Sequence, residues 1–280
     1  MTIAKAFHSK HLCLPLTVLM FFSVCACFAA EMNTLSKKEK DEGFELLFDG
    51  KSMDKWRNYR SDTIKDQWKV VDGTMFLDKS SGKSTKLGGD IVTKQKYGFF
   101  DFRIEWKISE NGNSGIMFRV NEETKKRLPW MDAPEFQLKD PFRKAMTSAG
   151  ALYKIIPTKK GIAKPAGQWN TSRILLEPGK DDTGKLKCWL NGHKTIDVVI
   201  DRRDGSDWLK LIEKSNKEQT QEKFIKDEEF LKVKTGPILL QDHGSNVSFR
   251  NIRIKNLDCP AGCSISCQKA KGYKKSKPAK

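Results

Sequence analysis

The residues of this chain best suited to chemistry are polar side chains that alternate with buried ones. In Glu135-Phe136-Gln137-Leu138, a strand that turns Phe136 and Leu138 inward turns Glu135 and Gln137 together to the other face. Two residues of strand rise set them about 7 Å apart. A carboxylate beside an amide at that spacing can position a hydroxyl and take a proton. The same alternation sets Asn113, Met117 and Arg119 opposite Ile116, Phe118 and Val120, and Gln241 and His243 opposite Ile238 and Leu240. Each also has an ordinary reading. Glu135 and Gln137 suit a solvated strand face, Arg119 a surface ion pair, and His243 a turn before Gly244. Trp130 and Trp169 suit core or rim packing as well as sugar platforms. No phosphate-cradling glycine loop, metalloprotease helix or serine-nucleophile elbow occurs.

These residues need strands to hold them, and strands dominate the pattern. Phe100, Phe102, Ile104, Trp106 and Ile108 alternate with Asp101, Arg103, Glu105 and Lys107, a period of two with one face buried. Asp72-Gly73 and Asn191-Gly192 each join two such runs as hairpin turns. About ten short strands punctuated by glycine pairs predict an all-β antiparallel sandwich or jelly roll. Strands do not alternate with helices, which argues against a parallel α/β fold. Ser36-Lys37-Lys38-Glu39 has capping-box spacing and predicts a short helix to about Glu42, ended by Gly43. Residues 206–233 carry Trp208, Leu209, Ile212, Phe224 and Phe230 amid Lys and Glu, and predict a short helical insertion or a structured loop.

The two ends differ from this body. Residues 1–30 pair a basic start with an apolar run from Leu12 to Phe28 and small residues at Ala26, Ala29 and Ala30, the pattern of an export signal peptide. Cleavage near Ala29 or Ala30 would give a soluble secreted or periplasmic product. Processing at Cys27 would give an outer-surface lipoprotein. The run is short for a membrane span. Residues 31–42 form a helical lead-in, 43–256 the sandwich domain, and 257–280 a tail rich in Cys and Lys. Cys188 reads as a small buried hydrophobe. Cys259, Cys263 and Cys267 suit a tail disulfide or free thiols better than zinc, because Pro260 and Gly262 break the helix that their spacing would need. The net charge of +17 raises nucleic acid as a partner. Six lysines, however, crowd into Lys269–Lys280, the others alternate with acids, and an export signal argues against nucleic acid. A basic surface also suits anionic polysaccharide.

The motifs in order narrow the reading. Phe48-Asp49-Gly50-Lys51 precedes Asn113-Ser114-Gly115-Ile116-Met117-Phe118-Arg119, then Pro134-Glu135-Phe136-Gln137-Leu138-Lys139-Asp140 and Gly150-Ala151-Leu152-Tyr153. Gln168-Trp169-Asn170, Leu190-Asn191-Gly192 and Gly236-Pro237-Ile238-Leu239-Leu240-Gln241-Asp242-His243-Gly244 follow, with Phe249-Arg250-Asn251-Ile252 last. Over about Gly43 to Lys255 this series resembles the 3-keto-disaccharide hydrolase domain family. Where that family carries glycine before the acidic residue, this chain has Asp132-Ala133-Pro134.

The resemblance implies a concanavalin A-like jelly roll acting on glycosides oxidised at C3. It implies Glu135 and His243 as base and acid in unassigned order, and Arg119, Gln137 and Gln241 as groups that bind or polarise the keto sugar. Asn113, Tyr153 and Trp169 would shape the pocket. A divalent metal ion held by acidic and histidine side chains would stabilise an enolate, although the sequence shows no evident ligand set. An upstream oxidoreductase acting at C3 of the sugar is the implied partner. The same fold also serves non-catalytic carbohydrate-binding modules, so a binding module at the cell surface stands as the alternative. Convergence of the polar residues in one pocket distinguishes the two.

Overall fold

Ser36 opens the first helix, α1 (Lys37–Asp41), through the capping box that its sequence predicts. Its side chain accepts from the Glu39 N–H, and the Glu39 carboxylate accepts from the Ser36 N–H at 3.1 Å. Gly43, at a φ of 84°, turns the chain out of the helix. The computed structural model describes residues 31–79, 89–125, 128–181, 183–218 and 233–258. The signal segment with Cys27, the tail with Cys259, Cys263 and Cys267, and the stretch 219–232 lie outside the described residues.

Thirteen strands follow among the described residues. They are β1 (Glu45–Leu46), β2 (Trp56–Asn58), β3 (Trp68–Val71), β4 (Thr74–Leu77), β5 (Ile91–Thr93), β6 (Phe100–Ile108) and β7 (Asn113–Met117). After these come β8 (Glu135–Lys139), β9 (Asn170–Pro178), β10 (Gly184–Leu190), β11 (His193–Ile200), β12 (Leu239–Leu240) and β13 (Val247–Asn256). Both expected hairpins form: Asp72-Gly73 joins β3 to β4 and Asn191-Gly192 joins β10 to β11, all four residues at positive φ as such tight turns require.

The strands assemble into two antiparallel sheets, the all-β sandwich of jelly-roll type that the alternation predicts. One sheet has the order β11-β10-β9-β6-β13-β4-β3, with β1 also on β13. The other has the order β2-β5-β12-β7-β8. Their inner faces meet in one core. Phe100, Phe102, Ile104, Trp106 and Ile108 of β6 pack there with Ile116, Phe136, Leu138 and Leu240 of the five-stranded sheet. Each such large side chain contributes about 1.5–3 kcal/mol by leaving water. Cys188 is fully buried among them, as its strand pattern implies.

Helix α2 (Asp207–Glu218) occupies the predicted insertion. It buries Trp208 and Ile212 in the same core and packs beside β11. The five-stranded sheet is unusual in its second face. There Val92, Met117, Val120, Ala133 and Leu239 form a separate apolar cluster with Tyr59 and Trp130 packed against it. That face is therefore a roofed floor on which polar groups can be held out of water.

Candidate active site

Cross-strand register places the polar residues of that second face. Gly115 pairs with Gln137, the Gln241 N–H donates to the Gly115 carbonyl at 2.9 Å, and the β12–β5 pairing sets Gln241 beside Asp90. One row thus crosses the sheet as Asp90, Gln241, Gly115 and Gln137. The next row runs Val92, Leu239, Met117 and Glu135. The lower row is apolar except for Glu135, whose carboxyl leans up onto Gly115. A β-carbon at Gly115 would stand 2.8 Å from Glu135 Cδ, so only glycine leaves the space.

The side chains around it are fixed by hydrogen bonds. Gln137 Nε2 donates to Asn113 Oδ1 at 2.6 Å. The Tyr153 N–H donates to the Glu135 carbonyl at 2.8 Å, and Ser114 Oγ donates to the Gln241 carbonyl at 2.8 Å. Gln137 Oε1 and Gln241 Oε1 are buried acceptors without a protein partner among the described residues. Buried amide oxygens normally have a partner, so these two mark a place for a hydroxyl or a water.

Two carboxyls govern the electrostatics. Burial pushes Glu135 up to about 8, and the nearby Asp90 charge adds to the shift. Burial likewise raises Asp90 to about 7, aided by Asp242 and opposed by the hydrogen bond that the Asp242 N–H gives to Asp90 Oδ1 at 2.7 Å. Lys79 pairs with Asp242 at 2.5 Å, with both side chains nearly sealed from solvent. Tyr153 is raised by burial and by the Glu135 charge, so its phenol stays neutral beside the carboxyl.

The structure gathers Glu135, Gln137, Asn113, Gln241 and Tyr153, and departs from the sequence expectation at three residues. Arg119 takes a left-handed φ of 53°, which breaks the alternation after Phe118 and puts Val120 on the second face. Its guanidinium donates to the Gly98 carbonyl at 2.9 Å and stacks on Phe99, where a keto sugar on Gly115 would not meet it. Trp169 lies on the outer face of the other sheet, against Arg250 and Lys107, and so does not shape this pocket. His243 is exposed on the turn after β12, and no hydrogen bond links it to Glu135 among the described residues. Its neighbour Asp242 takes the buried position.

Asp90, Asp242 and Lys79 are the charged residues that sequence reasoning missed. Asp90 was within reach. Ile91 and Thr93 alternate with Val92, and extending that period one residue back puts Asp90 on the Glu135 face. The Lys79–Asp242 pair spans 163 residues and carries no local signal. No group of three or more His, Cys, Asp or Glu side chains is gathered to hold a metal among the described residues. The acid-and-histidine set expected for a divalent ion is therefore not assembled there.

Comparison with known proteins gives the family. Residues 43–255 match the model of the 3-keto-alpha-glucoside-1,2-lyase-like domain. The chain belongs to that family. The 3-keto-alpha-glucoside-1,2-lyase-like domain covers both sheets and every residue of the Glu135 site described above. A 3-keto-disaccharide hydrolase of Bacteroides thetaiotaomicron is 31% identical over 253 residues, covering 82% of this chain and 84% of that protein. The crystal structure of a Parabacteroides distasonis protein provisionally named a glycosyl hydrolase superposes with a TM-score of 0.67 at 31% identity, covering 81% of this chain and all of that one. A second such Parabacteroides distasonis structure, 22% identical with a TM-score of 0.52, covers 76% of this chain and 99% of its own and shares the fold.

Proposed function

We propose that this lyase-like domain is a carbohydrate-active enzyme that cleaves the glycosidic bond of 3-keto-glycosides by elimination and hydration. The observation that carries the reading is the buried Glu135 carboxyl laid on Gly115, in the row between Gln241 and Gln137 and within the field of Asp90. Family membership and the 3-keto-disaccharide hydrolase relative support the substrate class.

The chemistry follows from the ketone. A carbonyl at C3 acidifies the C2 proton. The ionised Glu135 takes that proton, and the electron pair moves into the C2–C3 bond as an enolate. Collapse of the enolate forms the C1–C2 double bond and breaks the C1–O bond. The departing oxygen takes a proton from Asp90, in the minor form of the singly protonated pair in which Asp90 holds the proton and Glu135 is ionised. Water then adds at C1, C2 is reprotonated, and net hydrolysis is complete. Amide groups of Gln137 and Gln241 bind the sugar hydroxyls and hold the ring over Gly115. A base whose proton affinity is near neutrality suits such a transfer. No pair of carboxylates flanking an oxocarbenium ion is needed.

Two acidic groups on one buried face favour an enzyme over a binding module, which needs neither. The N-terminal segment supports export, so the substrate would be met outside the cytoplasm. It would come from an oxidoreductase that oxidises C3 of a glycoside. The test is purified protein incubated with a 3-keto-glucoside, with release of the aglycone measured. Turnover that disappears in Glu135→Gln supports the proposal. Turnover at the original rate in that variant removes Glu135 from the mechanism, and no turnover by the native protein removes the enzyme reading.

A further inference from the structure

A cavity of about 300 Å3 opens on the outer face of the eight-stranded sheet, away from the Glu135 site. Its floor is one cross-strand row. Trp189 of β10 pairs with Arg173 of β9, Arg173 with Arg103 of β6, and Arg103 with Arg253 of β13. Like charges directly opposite one another on adjacent strands repel, so three arginines in register are a costly arrangement. Two carboxylates offset them in part. Asp101 accepts from Arg173 at 2.8 Å and Arg103 at 3.0 Å, and Glu39 of α1 pairs with Arg253 at 2.6 Å. Glu105 also lines the cavity and is paired with Arg250 at 2.8 Å, so four cations face three anions and one positive charge is in excess.

Arg173 is the open member, its side chain 38% exposed against 26% for Arg103. Its guanidinium lies 4.8 Å over the Trp189 ring, which holds its plane fixed. It gives Nε–H and one Nη2–H to Asp101. A guanidinium has five N–H donors, so three of its donors have no protein partner among the described residues. Thr171 and Gly192 complete the rim beside it, and nothing stands within 4 Å of a β-carbon built at Gly192.

We propose that this cavity is a second saccharide site, for an acidic sugar whose carboxylate takes the unspent N–H groups of Arg173. A planar fork with free donors matches a carboxylate in two-point contact. The half-buried Trp189 and the Thr171 hydroxyl suit the ring beside it. The inference rests on the carbohydrate class of the family and is independent of Glu135 chemistry. A surface of this kind would hold the enzyme on acidic polysaccharide while the other sheet works on a keto sugar.

The test titrates the full chain with trigalacturonate and, separately, with neutral cellotriose, read by calorimetry and tryptophan fluorescence. Trigalacturonate is expected to bind saturably and cellotriose not to bind. Affinity should fall about tenfold or more in Arg173→Gln, the loss of a charge-assisted contact, and Arg173→Lys should restore it only in part. Raising salt from about 0.05 to about 0.5 M should weaken the binding, because screening shortens. Glu135→Gln should leave it unchanged, so the two sites fail separately. Absence of binding, equal affinity for cellotriose, or full affinity in Arg173→Gln would each overturn the proposal, the last by assigning the ligand to other basic groups such as the lysines of the tail.

Discussion

The carboxyl of Glu135 rests on Gly115, in the space that a side chain at that position would fill. Gly115 is therefore part of the site, although it has no functional group. Gly115→Ala would set a methyl 2.8 Å from Glu135 Cδ and force the carboxyl aside. Overpacking of this kind costs about 1–3 kcal/mol. The expected outcome is a protein that still folds, with a lower melting temperature and activity on a 3-keto-glucoside reduced by more than the stability loss explains. Wild-type kcat in this variant would show that the carboxyl position is unimportant.

Removal of the base itself should be more severe. Glu135→Gln keeps the shape and the hydrogen-bonding capacity but cannot accept the C2 proton. General-base contributions of this kind are about a hundred- to ten-thousand-fold, and kcat/KM should fall in that range. Circular dichroism should match the native protein, since the carboxyl is held neutral by burial over much of the pH range.

Stability should depend on pH with a definite sign. Glu135 is raised from 4.5 to about 8 and Asp90 from 3.8 to about 7. The folded state thus keeps protons that the unfolded chain has lost. That contribution is full below the unfolded values and is lost as pH rises through the folded ones, at about 1.4 kcal/mol per unit for each group. The melting temperature should fall between pH 5 and pH 8, and the slope should flatten in Glu135→Gln. An equal slope in the variant would place the pH dependence elsewhere.

The same two groups should shape the rate. Activity needs one carboxyl ionised and the other protonated, so kcat/KM should follow a narrow bell with its maximum between about pH 7 and 8, the limbs belonging to the pair. Asp90→Asn removes the acid and its charge, so the alkaline fall should disappear, at reduced rate, and a single rising limb that belongs to Glu135 alone should remain. An unshifted profile in Asp90→Asn would uncouple the two carboxyls.

How much of this was legible in the sequence depends on the range of the interaction. Period-two alternation in β6 and β8, and the Asp72-Gly73 and Asn191-Gly192 turns, are local signals, and they gave the sandwich and the shared face of Glu135 and Gln137. The ordered motifs gave the family. Alternation failed at Arg119 because a single left-handed residue reverses every face beyond it. It could not tell which sheet Trp169 faces, because that is decided by the pairing of β9 with β6. His243 drew attention as a titratable type, whereas the buried charge belongs to Asp242, one residue earlier, which finds Lys79 only in the fold.

In the proposed elimination the glycosidic bond breaks only after proton removal from C2, and solvent deuterium reads that step directly. A 3-keto-glucoside turned over in D2O should yield a keto sugar carrying deuterium at C2, and Glu135→Gln should show neither turnover nor C2 exchange. Full turnover with hydrogen retained at C2 would contradict elimination and return the site to direct hydrolysis.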